Sequence, residues 1–395
     1  MVDHTIRVLL VEDDRDDVAL IRAYLREAQG FRIELEHVDR LSLGLQLAES
    51  GRFDVLLLDL CLPDSWGLET FRTFHGHAPR IPIVVMTGAE VMENALQAVR
   101  EGASDYLFKG ELGGSLLIRV ILYAIERARR FRAEAALLAS QREMEIARSI
   151  QMGLYPAAAP KLPGYDIAGN CFPAESVGGD YFDFFHMPDG GLVIAVGDAM
   201  GHGVGAALLS AGFRAALHSL VLTNRSVGDI LGLTNQTLTN GSTLVGFGTL
   251  LLIHLDPKSG SMVYASAGHE PGLILDKTGR LTQTLPSTAI PLGVEPNTTF
   301  PESHEIKLAP GDILVLPTDG FRQAWPEATT EAAVEHLVEV VRRHREQSAA
   351  NIVEALAAAV CSPWAPTSPP DDFSVIAAKL AADIHLAHSP STTEL

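Results

Sequence analysis

Gly178-Gly179-Asp180-Tyr181-Phe182-Asp183, followed by Gly197-Asp198-Ala199-Met200-Gly201-His202-Gly203, places acidic residues beside glycines and apolar runs. Two later stretches repeat the pattern: Thr318-Asp319-Gly320 and Asp371-Asp372-Phe373-Ser374. Clustered carboxylates raise one another's pKa, so bringing them together is costly. A pair of divalent cations removes that cost. Asp198 closes a strand over Leu192–Gly197 and precedes an Ala-rich helix, and Asp319 closes a strand over Ile313–Pro317. Asp180 follows two glycines that allow close backbone approach to a metal. Hard carboxylates without His or Cys partners argue for Mg²⁺ or Mn²⁺. Two such ions roughly 3.5–4 Å apart make a bridging water nucleophilic near neutral pH. That chemistry suits hydrolysis of a phosphate monoester.

Around these signatures, strand-like runs fall at Leu192–Val196, Thr249–Leu255, Met262–Ser266, Leu273–Leu275, Ile313–Leu316 and Ser374–Ala377. Helical runs fall at 204–222, 227–239, 331–345 and 349–360. Hairpin strands with separate helices predict an α+β fold over 155–382. Residues 362–370 read as a Pro-rich loop and 383–395 as a flexible tail. Upstream, 115–154 lacks Pro and spaces Leu117, Ile121, Ala124, Ala128, Phe131, Ala135 and Leu138 by alternating fours and threes. This heptad seam suits a long helical linker between domains or a coiled coil that makes a homodimer.

Residues 1–125 alternate apolar strands (Ile6–Val11, Ile33–Val38, Val55–Leu58, Ile83–Met86, Tyr106–Phe108) with amphipathic stretches near 14–28, 41–50, 67–75 and 90–101. That order predicts a five-stranded, doubly wound parallel sheet with its chemistry at the carboxyl ends of the strands. Those ends carry Glu12 and Asp13, Asp59, Thr87 and Lys109. Carboxylates there would hold Mg²⁺, and Thr87 with Lys109 would hold a phosphoryl group. Asp59 is placed to be the nucleophile of an acyl phosphate.

The first constellation resembles the receiver domain of two-component response regulators over about 5–125. The resemblance implies that Asp59 is the phosphoacceptor, that Glu12 and Asp13 hold Mg²⁺, and that Thr87, Lys109 and Tyr106 form the switch. Gly110 departs from the proline common after that lysine. The second constellation resembles the metal-dependent PPM (PP2C-like) phosphatases of the SpoIIE and RsbU branch over about 145–382. It includes Glu145-Ile146-Ala147-Arg148-Ser149-Ile150-Gln151, Ala267-Gly268-His269 and Pro310-Gly311-Asp312 besides the acidic boxes. This resemblance implies a β-sandwich flanked by helices and a serine/threonine phosphatase. Asp198 would bridge two Mg²⁺ or Mn²⁺ ions, with the Ala199 carbonyl nearby. Asp180 would serve one ion directly or through water, and Asp319 and Asp371 would complete the other shell. Asp183 and Asp372 are second choices, as ligands or as hydrogen-bond acceptors behind the ligands. His202 and His269 are read as structural or substrate-side residues, and Glu270 stands where the branch usually has Asn. The implied partners are a sensor histidine kinase or phosphotransfer protein and a phosphoserine or phosphothreonine protein, an anti-sigma factor antagonist of the STAS type.

The composition agrees. A 395-residue chain with 47% hydrophobic and 20% charged residues forms several globular domains. A net charge of −19 opposes nucleic acid and anionic membranes. The three widely separated cysteines fit a reducing cytoplasm. The expected protein is a response regulator with a phosphatase output, the alternative being a catalytically weak phosphatase-fold scaffold that binds a regulatory protein. No basic recognition helix follows the receiver, which disfavours DNA-binding outputs.

Overall fold

Uninterrupted Val, Ile and Leu runs near the start of the chain become strands buried on both faces, as parallel sheets require. The computed structural model describes residues 5–27, 32–88, 92–223, 225–239, 246–325, 329–361, 364 and 371–381. It divides into two compact units, 1–141 and 142–395. The expected tail 383–395 lies outside the described residues, as does nearly all of the Pro-rich stretch 362–370.

The first unit runs β1 (Thr5–Val11), α1 (Arg15–Arg26), β2 (Arg32–Val38), α2 (Leu41–Ala48), β3 (Val55–Asp59), a short hairpin β4 (Cys61–Leu62) and β5 (Ser65–Trp66), then α3 (Leu68–His77), β6 (Ile83–Thr87), α4 (Met92–Arg100) and β7 (Asp105–Phe108). The sheet order is β2-β1-β3-β6-β7, with every pair parallel. Alternation along β1 feeds two cores. Val8 and Leu10 pack with Val18 and Ile21 of α1, whereas Leu9 and Val11 pack with Phe71 and Phe74 of α3. Each such buried side chain stabilises the fold by roughly 1.5–3 kcal/mol. Asp14 caps α1 by accepting from the amides of Asp16 and Asp17, an arrangement worth about 1 kcal/mol. The β4–β5 hairpin carries no sequence signal that was anticipated.

A single helix, α5 (Gly114–Met152), follows. Leu117, Ile121 and Ala124, the first residues of the heptad seam, are buried in the core of the first unit together with Val120 and Ile125. Phe131, Leu138, Ile146 and Ile150 are exposed. The seam is therefore split, and its first part is the inward face of an ordinary amphipathic helix. Over so few turns, periods of 3.5 and 3.6 place apolar residues alike.

The second unit contains β8 (Tyr165–Phe172), β9 (Asp180–His186), β10 (Leu192–Ala199), α6 (Gly203–Leu220), α7 (Val227–Thr239), β11 (Gly248–Asp256), β12 (Ser261–Ala267), β13 (Gly272–Leu275), β14 (Leu281–Leu285), β15 (Ile306–Lys307), β16 (Ile313–Pro317), α8 (Gly320–Gln323), α9 (Thr330–His344), α10 (Ala349–Cys361) and β17 (Phe373–Leu380). These strands form two antiparallel five-stranded sheets, β15-β12-β11-β10-β9 and β14-β13-β16-β17-β8. Ile194, Val196, Leu251, Leu314 and Ile376 fill the space between them. Val193, Ala195, Phe213 and Ile230 join the first sheet to α6 and α7. Val315, Phe373, Leu337 and Leu356 join the second sheet to α9 and α10. The result is a helix–sheet–sheet–helix sandwich. The helical stretch Gly203–Thr223 is long and apolar enough by composition to cross a membrane. Here its Ala206, Phe213 and Leu217 pack into the core beneath the first sheet.

Candidate functional site

At the carboxyl edge of the parallel sheet, ligand oxygens of Glu12, Asp13 and Asp59 lie within 4.8 Å of one another. Lys109 Nζ reaches in from the end of β7, 2.9 Å from Asp59 Oδ2 and 2.8 Å from both Glu12 Oε2 and Asp17 Oδ2. Burial foremost, and then the charge of Asp59, push the Glu12 carboxyl up to about 8. Burial works against the Lys109 ammonium, but hydrogen bonds to Asp17, Asp59 and Glu12 outweigh it and hold its pKa above the usual range. Thr87 is fully buried and donates to the Gly88 carbonyl at 3.0 Å. Tyr106 is half-buried against the α2–α4 side of the sheet. A Cβ at Gly110 would come within 2.7 Å of the Phe108 ring, so a side chain there would require that ring to shift.

The second acidic group is assembled from both sheets. Asp198 of β10 is the direct antiparallel partner of Asp180 on β9 and of Thr249 on β11. Period-two alternation sends Asp198 to the same face as Ile194 and Val196, between the sheets. Asp319 and Asp371 arrive from the loops after β16 and before β17. Asp198, Asp319, Asp371 and Asp372 line one cleft of about 530 Å³, together with Met200, His202, Phe247 and Thr249. No Lys or Arg is among the described residues lining it.

Burial, and then charge crowding, raise the pKa values of these groups. Burial, then Asp319, Asp371 and Asp372, push Asp198 up to about 8, with no opposing cation. Asp180 is fully buried and raised well above the carboxylate range by burial, Asp198 and Asp372. Asp319 and Asp371 are raised too, chiefly by burial. This donor set fits divalent cations. Hard carboxylates line one cleft, Asp198 has no opposing cation, and a divalent ion there would remove the penalty.

Neighbouring groups fix the ligands. The Thr318 hydroxyl donates to Asp180 Oδ2 at 2.8 Å and accepts the Ser374 amide at 2.8 Å. Gln323 Nε2 donates to Asp371 Oδ2 at 2.5 Å. Asp372 accepts the amides of Ala174 and Gly179, each at 2.8 Å, so its oxygens hold the loop before β9. Gly179 must lack a side chain, because a Cβ would sit 2.5 Å from the Ala199 carbonyl and 2.9 Å from Asp198 Oδ1.

Asp183 does not join this group. It lies three positions after Asp180, an odd offset, so the pleat turns it to the other face of β9. There it accepts from Tyr181 Oη at 3.1 Å, lies 2.9 Å from His218 Nε2 and sits 3.5 Å from Arg214 Nε, tying α6 to the sheet. His269 is buried with Nδ1 2.8 Å from Thr249 Oγ1. Burial lowers its pKa to about 4, which keeps it neutral at pH 7. His202 is exposed at the cleft mouth, 3.5 Å from Glu175. Glu270 pairs with Arg322 beside Asp319. Thr318, Gln151 and Tyr155 were not singled out from the sequence. Thr318 carried a signal in its place within Thr-Asp-Gly, and Gln151 in its place at the end of the Glu145–Gln151 stretch.

Comparison with known proteins agrees with both halves. The response regulator receiver domain family matches residues 8–120, and the Stage II sporulation protein E (SpoIIE) family matches 188–381. Protein IcfG of Synechocystis sp. is 30% identical over 281 residues, covering 63% of this chain and 43% of that protein. Phosphoserine phosphatase RsbU of Bacillus subtilis is 28% identical over 185 residues, 47% of this chain and 55% of that protein. The chain thus spans about half the length of these curated relatives. The SiaA-PP2C domain of Pseudomonas aeruginosa shares the fold, with a TM-score of 0.53 and 24% identity over 62% of this chain and 98% of that one. The chain therefore joins a response-regulator receiver domain to a SpoIIE-type, PP2C-like domain.

Proposed function

We propose that this chain is a phosphorylation-controlled response regulator whose output is a metal-dependent protein serine/threonine phosphatase. The observation that carries the reading is the cleft lined by Asp198, Asp319, Asp371 and Asp372 above buried Asp180, with no Lys or Arg among its described lining residues. Asp198 and Asp180 would hold one Mg²⁺ or Mn²⁺, and Asp198, Asp319 and Asp371 a second, with the Ala199 carbonyl beside them. When bound, such ions supply the Lewis acidity that makes water nucleophilic and shields phosphate charge. Thr318 and Asp372 hold Asp180 and its loop in place. The phosphoserine phosphorus is attacked in line by water, its bond to the serine oxygen breaks, and that oxygen takes a proton as inorganic phosphate leaves.

In the receiver, Asp59 accepts a phosphoryl group from a phosphohistidine donor, a sensor kinase or phosphotransfer protein. An acyl phosphate forms and the imidazole is released. Glu12, Asp13 and Asp59 would hold Mg²⁺, Lys109 would pair with the phosphoryl oxygens, and Thr87 and Tyr106 would respond as the switch. The name of the relative RsbU supports a phosphoserine protein as substrate, and the resemblance to its branch supports an anti-sigma factor antagonist of the STAS type, acting in the cytoplasm. The exposed seam at Phe131, Ala135 and Leu138 supports a homodimer through α5.

The test is hydrolysis of a generic phosphate ester with Mn²⁺. Turnover by the native chain that is lost in Asp198→Asn is expected. Equal, negligible rates in both chains would favour the scaffold reading instead.

A further inference from the structure

Gln151 is a polar side chain buried in the last turn of α5. Both ends of its carboxamide bond the backbone of one residue. Nε2 donates to the Gly178 carbonyl at 2.7 Å, and Oε1 accepts the Gly178 amide at 3.1 Å. A side-chain amide thus pairs with a backbone residue as a neighbouring strand would. Gly178 lies flat on the Asp372 carboxylate, so that a Cβ there would collide with it. The next amide, that of Gly179, donates to Asp372 Oδ2, and the following residue is Asp180. Tyr155 adds a second tether from the same segment, its hydroxyl donating to the Asp180 carbonyl at 2.9 Å. Arg214 Nε of α6 donates to the Leu154 carbonyl at 2.7 Å and holds the segment itself.

We propose that Gln151 is a positioning residue that sets the Gly178–Asp180 backbone, and through it Asp180 and Asp372, for cation binding. The inference rests on the metal-site reading above and names the point at which α5 acts on that site. The first turns of the helix are receiver core, with Leu117 and Ile121 buried there. Its last turn holds the peptide that precedes a metal ligand. Any input that shifts the last turn of α5 must either break the Gln151–Gly178 pair or carry Asp180 with it.

The experiment counts bound cation, not product. The full chain carries Asp13→Ala and Asp59→Ala, so that bound Mn²⁺ belongs to the phosphatase domain, and free Mn²⁺ is followed by electron paramagnetic resonance. Gln151→Met fills the same space without either hydrogen bond. Mn²⁺ affinity is expected to fall roughly tenfold, the low end for residues that orient ligands, while the thermal midpoint of the metal-free chain stays within a few degrees. Unchanged affinity in a folded Gln151→Met chain would overturn the proposal. A second measurement needs no substitution at Gln151: Mn²⁺ should slow hydrogen exchange at the Gly178 and Gly179 amides, and unaltered exchange there would also overturn it. A chain that binds Mn²⁺ yet hydrolyses nothing would defeat the phosphatase reading alone. A chain that binds none defeats both.

Discussion

The two acidic sites solve the same electrostatic problem differently. In the receiver, neighbouring strand ends of one parallel sheet bring Glu12, Asp13 and Asp59 together, and Lys109 stands among them as a resident counter-charge. In the PP2C-like domain, opposed sheets contribute Asp180, Asp198, Asp319 and Asp371, and no described cation lines the cleft. Glu12 and Asp198 are both pushed up to about 8, but from different balances. Glu12 is raised by burial and one neighbour against the pull of Lys109. Asp198 is raised by burial and three neighbours with nothing opposing. A site with its own cation persists at rest and changes by exchanging partners. A site without one would, on the reading proposed above, depend on metal for its charge balance.

The sharpest way to break this comparison is Asp198→Asn, which should lower Mn²⁺-dependent ester turnover by more than about a hundredfold, beyond what residues outside the ligand set cost. Steady-state kinetics across a Mn²⁺ titration check it. Next in size, beryllofluoride should change the native rate severalfold, and Asp59→Ala should remove that change. An identical response in a chain lacking residues 1–140 would refute control through the receiver. The pH dependence of stability comes third. Raised folded-state carboxyl pKa values mean that the folded chain binds more protons than the unfolded one between about pH 4 and 8. Thermal midpoints of the metal-free chain should therefore fall as pH rises through that window, and Mn²⁺ should flatten the slope. The smallest effect belongs to Asp183→Asn, which weakens the contacts to His218 and Tyr181. It should cost about 1–3 kcal/mol in denaturant unfolding and leave Mn²⁺ affinity unchanged.

The receiver was readable in nearly every element because its strands are unbroken apolar runs and its chemistry sits where those runs stop. The second domain was readable where strands are equally apolar, as in β10, β11 and β16. It was opaque in β8, β9 and β14, where Asn170, Asp180, Asp183 and Gln283 interrupt the pattern. Asp183 misled because its motif is written along the chain while ligands are sorted by strand face. The heptad seam was only partly legible, because its first turns belong to the receiver's final helix, which has the same spacing as a coiled coil. Gln151 was visible only as the end of the Glu145–Gln151 stretch: a glutamine near a helix end looks like surface until the backbone opposite it is known.

Beneath Asp180, Cys171 is buried with its thiol donating to Tyr155 Oη at 3.5 Å. Burial first, and then the nearby Asp180 carboxyl, push that thiol up to about 12. A thiol so held carries almost no thiolate at neutral pH and is inert to alkylating reagents while the sandwich is closed. It becomes reactive only in molecules whose β8 edge has opened. Nature has thus left a stopwatch under the site: the rate at which iodoacetamide claims Cys171 reports how often the inter-sheet core breathes, and its slowing by cation would measure how firmly the metal shuts it.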